Sequence, residues 1–155
     1  LFDVIEHVED DLESMVALAC KLRPGGRMIV TVPAFNFLWS RHDDENQHKR
    51  RYRKRDIEVL AHKSAFQIDY VSYFNFWLFF PVATVRLIRK LIPYQESWHD
   101  MRLSNRMVNG LLQRIFASER LLIGRGSFPF GISLIAVFVF INLAESTGKT
   151  CSILP

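Results

Sequence analysis

Apolar positions along the first third of the chain follow two different periods. Between Leu12 and Ala19 they recur every three or four residues, which predicts a helix with one apolar stripe. Asp10 stands where the N-cap of this helix is expected. Residues 28–32 form a β-branched run without polar alternation, and residues 2–5 resemble it, so both predict short strands buried on both faces. Strand, helix and strand in this order predict a βαβ unit with parallel strands.

The rest of the chain is less regular. Residues 34–55 show no period, which inside a compact domain indicates a functional or disordered segment. The remaining predicted elements are a helix from Asp56, a strand at 66–74, an apolar helix at 76–92, a long helix at 103–120 and a last strand at 130–141. We therefore expect one α/β domain over residues 1–143, followed by a loose tail at 144–155.

Composition supports one globular domain. The chain has 155 residues, of which 49% are apolar and 23% charged, and 20 Lys and Arg against 16 Asp and Glu leave a net charge of +4. Cys20 and Cys151 are too few for a disulfide framework or a four-cysteine zinc module. The low number of cysteines favours a reducing compartment, so we expect a cytoplasmic location, with peripheral membrane contact as an open alternative. The apolar runs are too short for a membrane-spanning helix.

Two motifs at a characteristic spacing carry a family resemblance. Residues 3–8 are DVIEHV, and residues 22–33 are LRPGGRMIVTVP, with the predicted helix between them. Together they resemble the second half of a class I S-adenosylmethionine (SAM)-dependent methyltransferase. The first motif looks like the fourth strand of that fold with its loop, and the second like its proline–diglycine turn and fifth strand.

Further motifs resemble a bacterial subgroup with a W-S-x-H-D…H-x-R-R-Y insert. They are LWSRHD at 38–43, HKRRY at 48–52, YFN at 73–75 and PFGISL at 129–134. The resemblance, which extends to about Ile141, implies an incomplete Rossmann-like methyltransferase fold. Its mixed sheet would lack the first strands and end in an antiparallel edge that pairs with residues 28–32.

The resemblance also implies SAM as the cofactor. The glycine-rich SAM loop and the acidic ribose ligand of the family have no counterpart in residues 1–155. We therefore expect this chain to be the C-terminal part of a methyltransferase, to bind SAM poorly or not at all, and to be inactive alone. The segment 34–55 would be an insert or lid.

The first group of candidate site residues follows the first predicted strand. The resemblance places Glu6 and His7 beside the methionine and sulfonium of SAM, at the carboxyl end of a parallel strand where ligands bind in open sheets. We expect both to contact the cofactor and His7 to serve as a base or substrate contact. The alternative is a loop histidine that caps the next helix.

The second group lies in and after the segment 34–55. His42 and His48 are candidate catalytic bases, and Asp43 could orient one of them while contacting the acceptor. The remaining candidates for acceptor binding are Trp39, Arg51, Tyr52 and Asn75. Arg51 suits an anionic group because a guanidinium binds phosphate or carboxylate bidentately.

Two alternatives compete for this second group. One is a solvated surface loop with a few salt bridges. The other is a metal site formed by His42, Asp43 or Asp44, and His48. Because zinc sites prefer His and Cys at tighter spacings, we expect no metal there.

Residues 48–55 form a basic run with six Lys or Arg in eight positions. One interleaved aromatic, Tyr52, is too few for a nucleic-acid module, so we expect no nucleic-acid partner. The expected function is transfer of a methyl group from SAM to a small-molecule or lipid-linked acceptor. The apolar segment 74–92 could also lie on a membrane surface or simply cover the core. The rival is a non-catalytic domain that docks an anionic partner or membrane through residues 48–55.

Overall fold

The chain has a mixed α/β fold, as the sequence predicts. The computed structural model describes residues 1–91, 110, 113–115, 117–119, 122–124 and 126–141. Its helices are α1 (Asp11–Ala19), α2 (Arg41–Glu45), α3 (Lys54–Lys63) and α4 (Phe76–Leu91), and its strands are β1 (Arg27–Pro33), β2 (Phe66–Phe74) and β3 (Ser133–Phe140). Within the predicted helix at 103–120, residues 113–115 and 117–119 are helical. The other residues of that helix and the predicted tail at 144–155 lie outside the described residues, apart from Gly110.

The three strands form one sheet in the order β1-β3-β2. The central strand β3 is antiparallel to both neighbours, with Ala136 opposite Val30 of β1 and Val71 of β2. This confirms that the last two predicted strands join the sheet beside residues 28–32. A register irregularity interrupts β2 between Ile68 and Tyr70.

The other edge of β1 carries a parallel contact. Asp3 N donates to Thr31 O at 3.0 Å, and Thr31 N donates to Leu1 O at 3.0 Å, so that Phe2 and Thr31 form a parallel bridge. The two segments on either side of the proline–diglycine turn therefore lie side by side in parallel, with α1 between them in the chain. The predicted βαβ connection is confirmed.

Both short strands are less buried than predicted. Phe2 and Val4 are exposed, because this segment has a neighbouring strand on one edge among the described residues. The parallel pairing ends after Asp3. In β1, Ile29 is 45% exposed whereas Val30 is buried. Side chains alternate across a strand, so Ile29 lies on the sheet face that the described residues cover only in part.

Helices α1 and α3 supply the other side of the core. Met15 and Ala19 of α1 and the apolar face of α3 pack with the buried residues of the sheet. The fully enclosed members of this core include Ile5, Met15, Val30, Val32, Ile57, Leu134 and Phe138. Burial of such side chains contributes roughly 1.5–3 kcal/mol each, which fixes β1 and its flanking loops as one unit.

Local signals place the ends of these elements as expected. Asp10 caps α1 and accepts a hydrogen bond from Glu13 N at 2.8 Å. Gly25 adopts a φ of +76° in the turn before β1, where its amide donates to Phe140 O at 2.9 Å. A Cβ on Gly26 would lie 2.7 Å from Arg23 O, so the turn leaves no room for a side chain there.

Candidate functional site

The loop after the parallel segment meets the segment 34–55 at the end of β1. Glu6 and His7 follow that segment after two intervening residues, and Lys49 N donates to Glu6 O at 2.8 Å. Immediately after β1, Ala34 and Tyr52 form a parallel bridge, and Tyr52 N donates to Pro33 O at 2.9 Å. The polar residues of both loops therefore gather at the carboxyl end of the parallel pair.

The segment 34–55 is more regular than its sequence indicates. It contains a 3₁₀ turn at Asn36–Leu38, helix α2, and the start of α3 at Lys54, two residues before the predicted helix start. Asp43, Arg51 and Tyr52 are buried in it. The alternative of a solvated surface loop is therefore wrong for these three side chains.

Asp43 is the centre of a buried hydrogen-bond network. Its Oδ1 lies 2.9 Å from His48 Nδ1, 2.8 Å from Arg51 Nε and 2.7 Å from Arg51 Nη2. Its Oδ2 accepts from the backbone N of Ser40 at 2.8 Å and from Ser40 Oγ at 3.0 Å. Burial by itself raises the pKa of Asp43, but these hydrogen bonds outweigh it and hold the pKa below its usual value.

The hydrogen bond to Asp43 determines which ring nitrogen of neutral His48 carries the proton. A carboxylate can only accept, so His48 Nδ1 is the donor and Nε2 keeps a lone pair. The His48 ring meets the ring of His7 edge to face, with centroids 4.7 Å apart. The sequence therefore correctly grouped Asp43 with a histidine, and the fold adds His7 to that pair.

Glu6 completes this cluster from the opposite loop. Its side chain is fully buried, and neither carboxylate oxygen has a hydrogen-bond partner among the described residues. Burial is the largest influence on the carboxyl group of Glu6 and raises its pKa, although the nearby His7 and His48 act in the opposite direction. One potential ligand atom each from Glu6, His7 and His48 lies within 4.8 Å of the others. We call these three residues the Glu-His-His cluster.

Arg51 and Tyr52 point into the protein instead of presenting their polar groups to solvent. Besides its contacts with Asp43, Arg51 donates from Nη1 to Ala34 O at 2.9 Å. The Tyr52 hydroxyl lies 2.8 Å from Asp11 Oδ2 and 3.2 Å from Ile5 O, and burial raises the pKa of this phenol. Both side chains therefore tie the loops together, which sequence spacing did not indicate.

Two further predicted site residues lie near α2. Trp39 donates from Nε1 to Asp44 Oδ1 at 2.8 Å, and exposed His42 lies 2.9 Å from Asn46 through its Nε2. His42 does not belong to the Glu-His-His cluster. The metal set considered from the sequence, His42 with Asp43 or Asp44 and His48, is therefore not the one that converges in the described part of the chain.

Asn75 lies at the junction between β2 and α4, where it adopts a φ of +59°. Its backbone N donates to Glu119 Oε2 at 2.7 Å, and Trp77 N donates to Glu119 Oε1 at 3.1 Å. Buried Glu119 thus satisfies amides at the start of α4. No local pattern predicts this role for Glu119, because it lies 44 residues from Asn75.

Three of the six basic residues in the run pair with acidic residues of the same chain. Lys49 pairs with Glu9, and Arg50 lies 3.2 Å from Asp11 Oδ1 while it donates to Val8 O at 3.0 Å. Arg51 is held by Asp43, as described above. The exposed basic residues of the run are Lys49, Arg53, Lys54 and Arg55.

Of the comparisons with known proteins, the one with solved structures found similar proteins. The chain matches no protein-family model, and no curated protein matches it. It is similar to Haemonchus contortus phosphoethanolamine N-methyltransferase 2 in complex with SAM, with 18% identity, a TM-score of 0.46 and coverage of 91% of this chain and 32% of that one. For the complex of that protein with phosphomonomethylethanolamine and S-adenosylhomocysteine, the identity is 19%, the TM-score 0.45 and the coverage 91% and 32%. The chain thus spans about a third of the length of these structures.

No helix in the described residues has both the length and the apolar character needed to cross a bilayer.

Proposed function

We propose that this chain is the acceptor-side part of a SAM-dependent methyltransferase that methylates a small or lipid-like acceptor. The observation that carries the proposal is the parallel pairing of residues 1–3 with β1, next to an antiparallel β1-β3-β2 edge. The DVIEHV motif lies at the end of the parallel segment, and the LRPGG motif forms the turn before β1. Sequence motif and topology thus agree.

The position of the Glu-His-His cluster also supports the proposal. Ligands of open α/β sheets bind beyond the carboxyl ends of parallel strands. Glu6 and His7 follow one such end, and the segment that carries His48 follows the other, at Ala34. We therefore propose that SAM and the acceptor meet beside this cluster.

Methyl transfer from SAM requires little covalent chemistry from the protein itself. A lone pair of the acceptor atom forms a bond to the methyl carbon of SAM while the carbon–sulfur bond breaks. The electrons of the broken bond go to sulfur, so that the sulfonium becomes a neutral thioether. An acceptor that carries hydrogen then loses a proton, for which the imidazoles of His7 and His48 are suitable recipients. Alignment of the two reactants and exclusion of water supply much of the remaining rate enhancement.

The buried network gives the other predicted residues distinct roles. We propose that Asp43 orients the His48 ring and that Arg51 and Tyr52 are positioning residues, because their polar groups bond inside the protein. Trp39 and His42, at the start of α2, remain proposed contacts to the acceptor. Asn75 remains one too, through its side chain.

The surface of α4 favours a lipid-like acceptor or a membrane-bound one. Trp77 is 53% exposed and Phe80 61%, and Leu87 and Ile88 further along the helix are also exposed. Exposed apolar groups at this spacing suit contact with lipid chains. The non-catalytic rival is less well supported, because Arg50 and Arg51 of the basic run are paired with Asp11 and Asp43 of the same chain.

Calorimetric titration with SAM and S-adenosylhomocysteine tests the proposal. The complete gene product that contains this chain should bind both ligands, and Asp43→Asn should lower its transfer of radiolabelled methyl groups to a membrane lipid extract at least tenfold. His62→Asn on the exposed side of α3 is the matched control and should leave transfer unchanged. Absence of binding of either ligand by the complete product would refute the proposal.

A further inference from the structure

We propose that Glu6, His7 and His48 form a binding site for one divalent transition-metal ion of the zinc class. Two imidazole nitrogens and one carboxylate oxygen already lie within 4.8 Å of one another, although the residues come from two separate loops. This donor set suits Zn²⁺, Co²⁺ or Ni²⁺ better than Mg²⁺ or Ca²⁺, which prefer oxygen ligands. This site differs from the set that the sequence offers, His42 with Asp43 or Asp44 and His48, for which we expect no metal.

The buried carboxylate of Glu6 is the first observation that points to a ligand. Buried polar atoms in proteins are nearly always hydrogen-bonded or bound to a metal. Both oxygens of Glu6 lack a partner among the described residues, while its backbone oxygen is satisfied by Lys49 N at 2.8 Å. The side chain is thus held inside the protein next to two imidazoles.

The support behind His48 is a second, independent observation. A histidine that binds a metal usually donates its other ring nitrogen to a carboxylate or carbonyl, which fixes the tautomer and the ring orientation. His48 makes this contact through Nδ1 to Asp43 at 2.9 Å, and Asp43 is itself fixed by Arg51 and Ser40. Nε2 of His48 therefore carries the lone pair.

A small adjustment closes the site. Four ligands at roughly 2.1 Å from a tetrahedral ion lie roughly 3.4 Å from each other, somewhat closer than the limit of 4.8 Å observed for these atoms. His7 is exposed, so its ring can rotate toward the ion while buried Glu6 and supported His48 stay in place. Three protein ligands leave at least one coordination position for water or another small ligand.

The inference concerns the cluster itself and does not require methyl transfer. Where the proposed function holds, a bound ion would occupy the lone pairs of His7 and His48, so these residues would act as ligands instead of proton acceptors.

Titration of the metal-free, untagged chain with Co²⁺, followed by visible absorption, tests the inference, with Zn²⁺ calorimetry for affinity. We expect one equivalent of Co²⁺ to bind. Zn²⁺ should displace the bound Co²⁺, whereas Mg²⁺ should not. His7→Asn and Glu6→Gln should each weaken binding at least tenfold. His62→Asn removes an exposed imidazole from α3 and serves as the matched control, with unchanged binding.

Two results would overturn the inference. One is the absence of binding at micromolar concentrations, and the other is equal affinity in the His7, Glu6 and His62 variants. Circular dichroism checks the fold of Glu6→Gln, and if that variant unfolds, His7→Asn decides the question because His7 is exposed. Since SAM binding is measured separately on the complete gene product, failure of the metal site and failure of the proposed function are distinguishable.

Discussion

Arg51 Nη2 and Asp43 Oδ1 lie 2.7 Å apart in an ion pair whose side chains are 4% and 0% exposed. Two buried opposite charges are tolerated because each compensates the other. Removal of one leaves the other buried without compensation. This pair therefore determines how firmly the loop that carries His48 is held against the end of β1.

Asp43→Asn should destabilise the chain by about 3 kcal/mol, the lower end of the range for breaking a buried pair from one side. Urea unfolding followed by circular dichroism measures the effect. Asp44→Asn is the matched control, because Asp44 is exposed and an amide oxygen can still accept from Trp39. Equal losses in the two variants would contradict the structural role of the Asp43–Arg51 pair.

Tyr52→Phe should cost about 1–2 kcal/mol, because it removes a buried hydroxyl within reach of Asp11 and Ile5 and leaves the ring in the core. Thermal unfolding of the variant measures this. Tyr70→Phe removes an exposed hydroxyl that donates to Gly126 O at 2.6 Å and should cost less. A larger loss for Tyr70→Phe would show that Tyr52 does not fasten the loops.

Glu119→Ala should destabilise the start of α4, because the amides of Asn75 and Trp77 lose their carboxylate acceptor. Loss of a helix cap costs about 1 kcal/mol, and two amides left partly buried raise the expected cost to about 2 kcal/mol. Hydrogen exchange at both amides should accelerate in the variant. Glu58→Ala on the exposed face of α3 is the control, and unchanged exchange in Glu119→Ala would contradict the capping role.

The exposed face of α4 should bind lipid surfaces. We expect the chain to sediment with vesicles that contain anionic lipid, and the double substitution Trp77→Ser and Phe80→Ser should lower the bound fraction at least threefold. Val59→Ser removes an exposed apolar residue from α3 and should have no effect. If the chain sediments with neither anionic nor neutral vesicles, the lipid-surface part of the proposed function is wrong.

Local patterns sufficed for much of the architecture. The apolar stripe of α1, its cap at Asp10, the turn at Gly25 and the strands at 28–32 and 66–74 are properties of neighbouring residues, and the structure confirms them. Burial of Ile29 was overestimated, since a β-branched run does not reveal whether both faces of the strand are covered. The short helix α2 was missed because its residues Arg41–Glu45 have no apolar period.

The sequence alone determined the candidate residues and the order of the elements, because residue type and local period are written along the chain. The tertiary structure decided which candidates meet. Glu6 and His48 are 42 positions apart, and their convergence depends on the parallel pairing of residues 1–3 with β1. It likewise decided that Arg51 faces Asp43 inside the protein, because the burial of a charge depends on groups that only folding brings around it.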